Sequence, residues 1–342
     1  MIGLSRNIFF LLLFCNFCSL YAGTQFLNHS ALQLGRGQTG IAAPDGVSAL
    51  SFNPALTAFV PSSISASVGM GNYRLHFREA GIPGNYLSQT NRFPFGFFGN
   101  WNSDKHDFAL SFGAYQQFQH SSNWDPAWKG RFVSIKSNLS DYVLQPGFSY
   151  QFQDRFSIGI GLQIHRIQRL FSRSFTTAVP AGQEGILELD QAFWSFSAQL
   201  GIFGRIGKSL NLGLTFQAPV SFANTASRVR VFPNASLPQF TNEIADYKQQ
   251  LPWRIGFGAV IQSTDAARFF VDINYSHFSQ MDSMRILPAS PNTFDPVDES
   301  LYRRSSFSLH AGSEFDLSRL IVYRLGMVYT SGKAKPGTLR TD

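Results

Sequence analysis

The sequence predicts an all-β fold: an antiparallel β-barrel that crosses a membrane. Three observations predict it. From Ser62 onward the hydrophobic period is two, over about eleven segments, many of them ten residues or longer. Tight turns alternate with long links between these segments. No apolar run beyond the first two dozen residues is long enough to span a bilayer as a helix.

Composition fits this reading. The 342 residues are 44% hydrophobic and 15% aromatic, with 35 Phe, but only 14% charged. Soluble domains carry about a quarter charged residues. Mean hydropathy is nevertheless −0.06, so apolar and small polar residues are finely interleaved. The net charge of +7 comes from scattered Lys and Arg with no basic arm, which argues against a nucleic-acid partner.

The chain opens as a secretory signal peptide, residues 1–22. Arg6 supplies the positive end, Ile8 to Phe14 the apolar run, and Tyr21-Ala22-Gly23 a cut after Ala22. Both cysteines, Cys15 and Cys18, lie inside it. The mature chain then has no thiol, which excludes disulfides, cysteine nucleophiles and thiolate metal sites.

Next comes LGRGQTG, in which Gly35, Gly37 and Gly40 spell the dinucleotide fingerprint. The context is wrong for it. FLNHSALQ is no buried strand, and Pro44, Gly46 and Pro54 break any long helix after it. These glycines need another explanation.

The strands follow in order. Phe108, Leu110, Phe112 and Ala114 alternate with Ala109, Ser111, Gly113 and Tyr115. Tyr142–Phe152, Phe156–Ile164 and Leu210–Ala218 continue the pattern. Leu251, Trp253, Ile255, Phe257, Ala259 and Ile261 repeat it, as do Phe307, Leu309, Ala311 and Phe315. Side chains alternate across a strand, so each segment has one apolar face and one small or polar face. The tight turns are Asn102–Lys105, Gln153–Arg155, Gly207–Ser209, Ser263–Ala266 and Asp316–Ser318. The long links are Glu79–Asn91, His120–Gly130, Ser172–Glu184, Ser221–Gln250 and Asp282–Leu301. Short turns at one end and long loops at the other are the outer-membrane pattern, with the turns periplasmic. Trp101, Tyr142, Phe152, Trp194, Tyr275, Tyr323 and Tyr329 suit interfacial girdles.

If the apolar faces meet lipid, then Gln145, Gln163, His165, Arg254, Asp272, Asn274, His310, Glu314 and Arg324 face the lumen. Within Ser221–Gln250, Phe240, Ile244, Tyr247 and Leu251 recur at helical spacing, which predicts a short amphipathic helix with Thr241 as N-cap. The seven histidines show no metal-ligand spacing, and no G-x-S-x-G elbow occurs. No catalytic residue, metal or cofactor is expected.

ALQLGRGQTGIAAPDGVSALSFNPALTAF resembles the N-terminal plug of the FadL/TodX (OMPP1) family, outer-membrane transporters of long-chain fatty acids and other hydrophobic compounds. Gly35, Arg36, Gly37, Gly40, Ala42, Asp45, Ala49, Asn53, Pro54 and Ala55 carry the match. The late hairpin is similar through Asp272, Asn274, Tyr275, Phe278, Ser279 and Asp282, and the last strand through Arg324, Gly326, Tyr329 and Pro336. The resemblance implies a hatch over 23–61 and a barrel over 62–342. It also implies fourteen strands, about three more than are visible, so either a C-terminal portion is missing or the strand count is off by an odd number.

For function, the resemblance implies passive uptake of a hydrophobic small molecule through a hatch-gated barrel with lateral release. Phe240, Ile244 and Tyr247 would line an outer capture groove. Gly35, Arg36, Gly37, Gly40, Asp45, Asn53, Pro54 and Ala55 would gate. The lumenal polar residues have two open readings: a network that fixes the hatch, or Arg254 or Arg324 receiving an acidic head group. Expected partners are the solute, outer-membrane lipid and lipopolysaccharide, around a monomer in the outer membrane of a Gram-negative bacterium. The alternative is a barrel component of a protein secretion system, with loops built for protein partners.

Overall fold

The computed structural model describes residues 25–26, 30–77, 86–103, 106–176, 184–232, 241–281, 283–288, 297–300 and 304–331. The chain starts with β1 (Gln25–Phe26), helix α1 (Ala31–Gly35) and two 3₁₀ turns, Val47–Ser51 and Pro54–Phe59. Strands then follow: β2 (Ser63–Val68), β3 (Gly71–Phe77), β4 (Tyr86–Arg92), β5 (Phe95–Asn102), β6 (Phe108–Asn123), β7 (Lys136–Phe152), β8 (Phe156–Thr176) and β9 (Glu184–Ile206). The remainder are β10 (Leu210–Gln217), β11 (Val220–Phe232), β12 (Thr241–Leu251), β13 (Arg254–Thr264), β14 (Ala267–Ser276), β15 (Ser283–Pro288), β16 (Val297–Ser300), β17 (Ser306–Asp316) and β18 (Val322–Thr330). The expected leader, residues 1–22, lies outside the described residues.

Eleven of these strands form the wall, each antiparallel to the next, in the order β2-β5-β6-β7-β8-β9-β10-β13-β14-β17-β18. Three hairpins leave this path, β3–β4, β11–β12 and β15–β16, all at the end with the long links. The opposite end carries tight turns. In the β7–β8 turn, Gln153 and Asp154 have φ of 49° and 57°, and the Arg155 N–H closes on the Phe152 carbonyl at 3.1 Å, a left-handed pair that matches the strand twist.

The wall is inside-out relative to a soluble protein. Ile158 and Leu162 on β8 are 50% and 56% exposed, whereas Gln163 and His165 are 1% and 0% exposed. The same inversion runs along β13 and β14, where Ile255, Phe257 and Ile273 are exposed and Asp272 is buried. An apolar outer face is stable only against lipid. β8 and β9 run to 21 and 23 residues, about twice what a tilted strand needs to cross the hydrocarbon. The surplus rises beyond the membrane on the long-link side.

Two expectations are corrected here. The segment after Phe240 is not a helix: Thr241–Leu251 is strand β12, paired with β11 on one side and β15 on the other. Its burial alternates, with Ala245, Tyr247, Gln249 and Leu251 inside and Asp246 and Lys248 outside. An isolated helix of this length is marginal, and two ladders of hydrogen bonds outweigh the 3.6-residue spacing. The links Glu79–Asn91 and Ser221–Gln250 likewise contain paired strands rather than open loops.

The interior is stratified. Inward-facing Phe118, Leu139, Ile167, Phe171, Leu187, Leu189 and Phe193 of β6 to β9 pack with Val220, Phe222, Tyr247 and Leu251 of the β11–β12 hairpin into an apolar cluster at the outer end. Below it lies a polar layer. There Gln145 bonds Tyr115 and Gln199, and Gln163 bonds Tyr115, Ser197 and Gln217. Below that sits the hatch.

Candidate functional site: hatch, lumen and cavity

The hatch is built from small residues because the wall meets it backbone to backbone. Gly37 has φ of +66°, a conformation costly for any L side chain. A Cβ there would also stand 2.6 Å from Met327 N and 2.7 Å from Ala311 O. Gly312 and Gly326 of the wall face Arg36 and Gly37 at equally close approach. On the far side Gly159 abuts Pro54 and Ala55. Gly40 leaves room for the ring of Phe52 at 2.7 Å, and Gly35 lies against the Arg324 side chain. The three glycines of the false fingerprint are thus explained by packing.

Wall side chains then seize the hatch backbone. Asp272 Oδ2 accepts from the N–H groups of Gly40 (2.7 Å) and Ile41 (3.1 Å). His310 Nδ1 donates to the Gly37 carbonyl at 2.9 Å. Gln199 donates to Phe52 O at 3.0 Å, Ser157 to Ala55 O at 2.7 Å and Asn100 to Val60 O at 2.8 Å. Asn53, fully buried, donates to Ile41 O and Ile202 O and accepts from Ala55 N at 3.0 Å. It caps the turn Pro54–Phe59, with Pro54 at the position where a missing N–H costs nothing.

A chain of charges completes the junction. Arg36, fully buried, reaches Asp45 at 2.5 Å and lies 4.1 Å over the ring of Phe270. Asp45 also receives Arg268 of β14 at 2.8 Å. Arg268 continues to Glu314 of β17, which holds Arg324 of β18 at 2.5 Å. Burial pushes the Asp45 carboxyl up, but Arg36 and Arg268 outweigh it and hold the group below the usual carboxylate range.

Above the hatch is a cavity of about 140 Å³. Its floor is Gln38, Ile41 and Phe52 of the hatch. Its walls include Gln117 of β6, Gln217 of β10, Arg254 of β13, Asn274 of β14, His310 of β17 and Val328 of β18. Phe278 lines it and also belongs to the outer apolar cluster.

All nine residues assigned to the lumen from parity face inward, in three groups. Asp272, His310, Glu314 and Arg324 grip the hatch, directly or through Arg268. Arg254 and Asn274 line the cavity, as do Asp272 and His310. Gln145, Gln163 and His165 belong to the polar layer, where His165 bonds Asp141 at 3.0 Å and Ser197 at 2.9 Å, away from the cavity. Of the expected capture groove, Phe240 lies outside the described residues, as does the Ile244 side chain. Tyr247 is buried, stacked on Phe193 at 5.3 Å, with its hydroxyl bonded to Gln249 and Arg169. Sequence reading missed Arg268, although its parity matches Asp272 and Asn274 on the same strand.

An apolar-out barrel closed by an N-terminal hatch defines an outer-membrane channel. The family model for outer membrane transport proteins (OMPP1/FadL/TodX) matches residues 16–335, and the chain belongs to that family, a transport family of the Gram-negative outer membrane. A FadL homologue from Pseudomonas aeruginosa is similar in structure at 16% identity, with a TM-score of 0.76 over 92% of this chain and 82% of that one. The toluene transporter TbuX of Ralstonia pickettii gives 14% identity and a TM-score of 0.71, over 89% of this chain and 86% of that one. The toluene transporter TodX of Pseudomonas putida gives 14% and 0.68, over 90% and 85%. These likenesses are likenesses of fold. No curated protein matches the sequence.

Proposed function

We propose that the protein is a passive channel through which a long-chain fatty acid or an aromatic hydrocarbon enters across the outer membrane. In this reading the leader is 1–22, the hatch 23–61 and the barrel the remainder from 62. One observation carries it: the cavity is floored by the hatch and joined through Phe278 to the apolar cluster at the outer end. Transfer of an apolar solute from water into that cluster is driven by the hydrophobic effect.

The straight path inward is blocked, because the hatch is bonded to the wall on every side described above. Release is therefore lateral, and β6 supplies the weak place. Its pairing with β5 ends at Tyr115, and its pairing with β7 slips between Gln116 and Phe118. The residue between them, Gln117, lines the cavity. A bulge re-aims side chains and interrupts the ladder. The short β1 pairs beside it, Phe26 opposite Phe118, so the hatch strand and the exit share an edge.

The test compares bacteria with and without the protein for uptake of labelled oleate and toluene. Uptake of at least one is expected, and deletion of Gln117 should abolish it while the barrel stays folded. Undiminished uptake by that variant would displace the exit. No uptake of either solute, with proteins co-purifying instead, would replace transport by a secretion role.

A further inference from the structure

We infer that the outer face of the wall carries a site for the phosphate head of an outer-leaflet glycolipid, with Arg166 as its charged contact between Tyr142 and Trp194. The site faces the bilayer, away from the lumen and the cavity, and does not depend on which solute the channel passes.

The position of Arg166 follows from the length of β8. A tilted strand crosses the hydrocarbon in about 9–11 residues. Counted from the tight turn Gln153–Arg155, the outward residues of β8 are Phe156, Ile158, Ile160, Leu162 and Ile164, all apolar. Arg166 is the next outward residue, so it stands where the hydrocarbon ends on the long-link side. The neighbouring strands change character in the same row. Arg166 is paired with Tyr142 of β7 and with Trp194 of β9. One row further out stand Ser140, Gln168 and Ala192. Aromatic rings commonly end the apolar band of a barrel, and here a cation stands between two of them.

The geometry leaves that cation with a free edge. The Arg166 guanidinium lies 4.9 Å from the centroid of the Trp194 ring, a contact that uses its flat face. Among the described residues no hydrogen bond or ion pair takes its N–H groups. The in-plane fork that remains matches two oxygens of a phosphate. The acidic groups further out on β9 do not compete for it, because Arg230 holds Glu188 at 3.0 Å and Asp190 at 3.6 Å. Charge therefore selects an anion. Depth selects one carried by a lipid, since the outer leaflet of this membrane is lipopolysaccharide, whose phosphorylated sugars lie directly above the acyl chains.

The acyl chains have a place as well. The ladder of β9 with β10 ends at Gln199, and its ladder with β11 begins at Leu189. Between them β9 is strand-paired to β8 alone among the described residues. Trp194 and Phe196 project from this stretch, 61% and 72% exposed. Beneath them Leu162, opposite the small Ala198, is also exposed. A chain lying along Phe196 and Leu162 would cover apolar surface directly below the head group at Arg166.

The experiment adds lipid A to the purified protein in detergent and reads bound molecules by native mass spectrometry. Lipid A is expected to bind roughly 10-fold more tightly than lipid A stripped of its phosphates. Arg166→Gln should erase that preference, and Arg166→Lys, which keeps the charge but not the fork, should keep part of it. Arg319→Gln removes the same charge beside the tight turn Asp316–Ser318 and should leave the preference as it is. Heat-sensitive migration in gels selects the folded barrel of each variant for comparison. Equal retention of the two lipids by the unaltered protein, retention of neither, or a preference that survives Arg166→Gln would overturn the site. So would an equal loss on Arg319→Gln, because bulk charge would then account for the binding.

Discussion

Arg268 of the wall and Asp45 of the hatch stand 223 residues apart in sequence, yet Nη1 and Oδ1 are 2.8 Å apart. The contact is the centre of a relay, Arg36–Asp45–Arg268–Glu314–Arg324, that alternates in charge and crosses from hatch to wall once.

Removing Asp45 should therefore unfasten the hatch without unfolding the barrel. Asp45→Asn strands the buried Arg36 guanidinium, a loss on the order of 3 kcal/mol for breaking a buried pair. Limited proteolysis should cut the N-terminal segment of this variant faster than that of the unaltered protein, while the heat resistance of the barrel is kept. Equal cutting rates would mean that the backbone latches alone hold the hatch.

The relay also sets a pH limit. The Asp45 carboxyl is held below its ordinary value in the folded state. Its contribution is thus fully present above the ordinary carboxylate pKa of about 4, and is lost as pH falls through the lowered folded value. Hatch protection, followed by hydrogen exchange of the N-terminal segment at each pH, should be unchanged between neutral pH and about pH 5 and should fail only below about pH 4. Asp45→Asn should shrink this acid step to the share carried by Glu314.

Two glycines give opposite expectations. Gly207, at φ +66°, has nothing within 4 Å of an added Cβ, so Gly207→Ala costs only backbone strain, about 1 kcal/mol. Gly326→Ala would drive a methyl into the backbone of Gly37. Neither strand nor hatch can retreat, so this variant should expel the hatch and show the proteolysis of the Asp45 variant or worse. Thermal melting of the two variants, compared side by side, checks the contrast.

The strand assignment of Thr241–Leu251 can be read by cysteine labelling, since the only cysteines, Cys15 and Cys18, lie in the first 22 residues, the proposed leader. Single cysteines at Asp246 and Lys248 should react with a polar maleimide, and those at Ala245 and Gln249 should not. In a helix, 245, 248 and 249 would share one face and react alike.

Period two was readable throughout the wall because lipid outside and polar contacts inside impose opposite demands on alternate residues. That is why Asp272, His310 and Glu314 could be placed in the lumen from parity alone. Their partners were less visible. The link between Arg268 and Asp45 depends on how the hatch folds back, which no local spacing encodes. The β11–β12 hairpin was misread for a related reason: Ile244, Tyr247 and Leu251 fit a helix locally, and only pairing with β11 and β15 selects the strand. Arg254 and Arg324 look equivalent in the sequence, and they part only because Glu314 stands opposite one of them.

The glycines that face the hatch from the wall have a further consequence. Gly159, Gly213, Gly258, Gly312 and Gly326 have no side chains that could spring inward once the hatch leaves. The vacated bore would not reseal itself. It should take up water, so hatch-loosened variants in a planar bilayer are expected to carry a larger steady electrical leak than the unaltered protein, limited by the apolar cluster at the outer end. For the cell the plug is then a dielectric as much as a gate, insulating a hole that the barrel is built around.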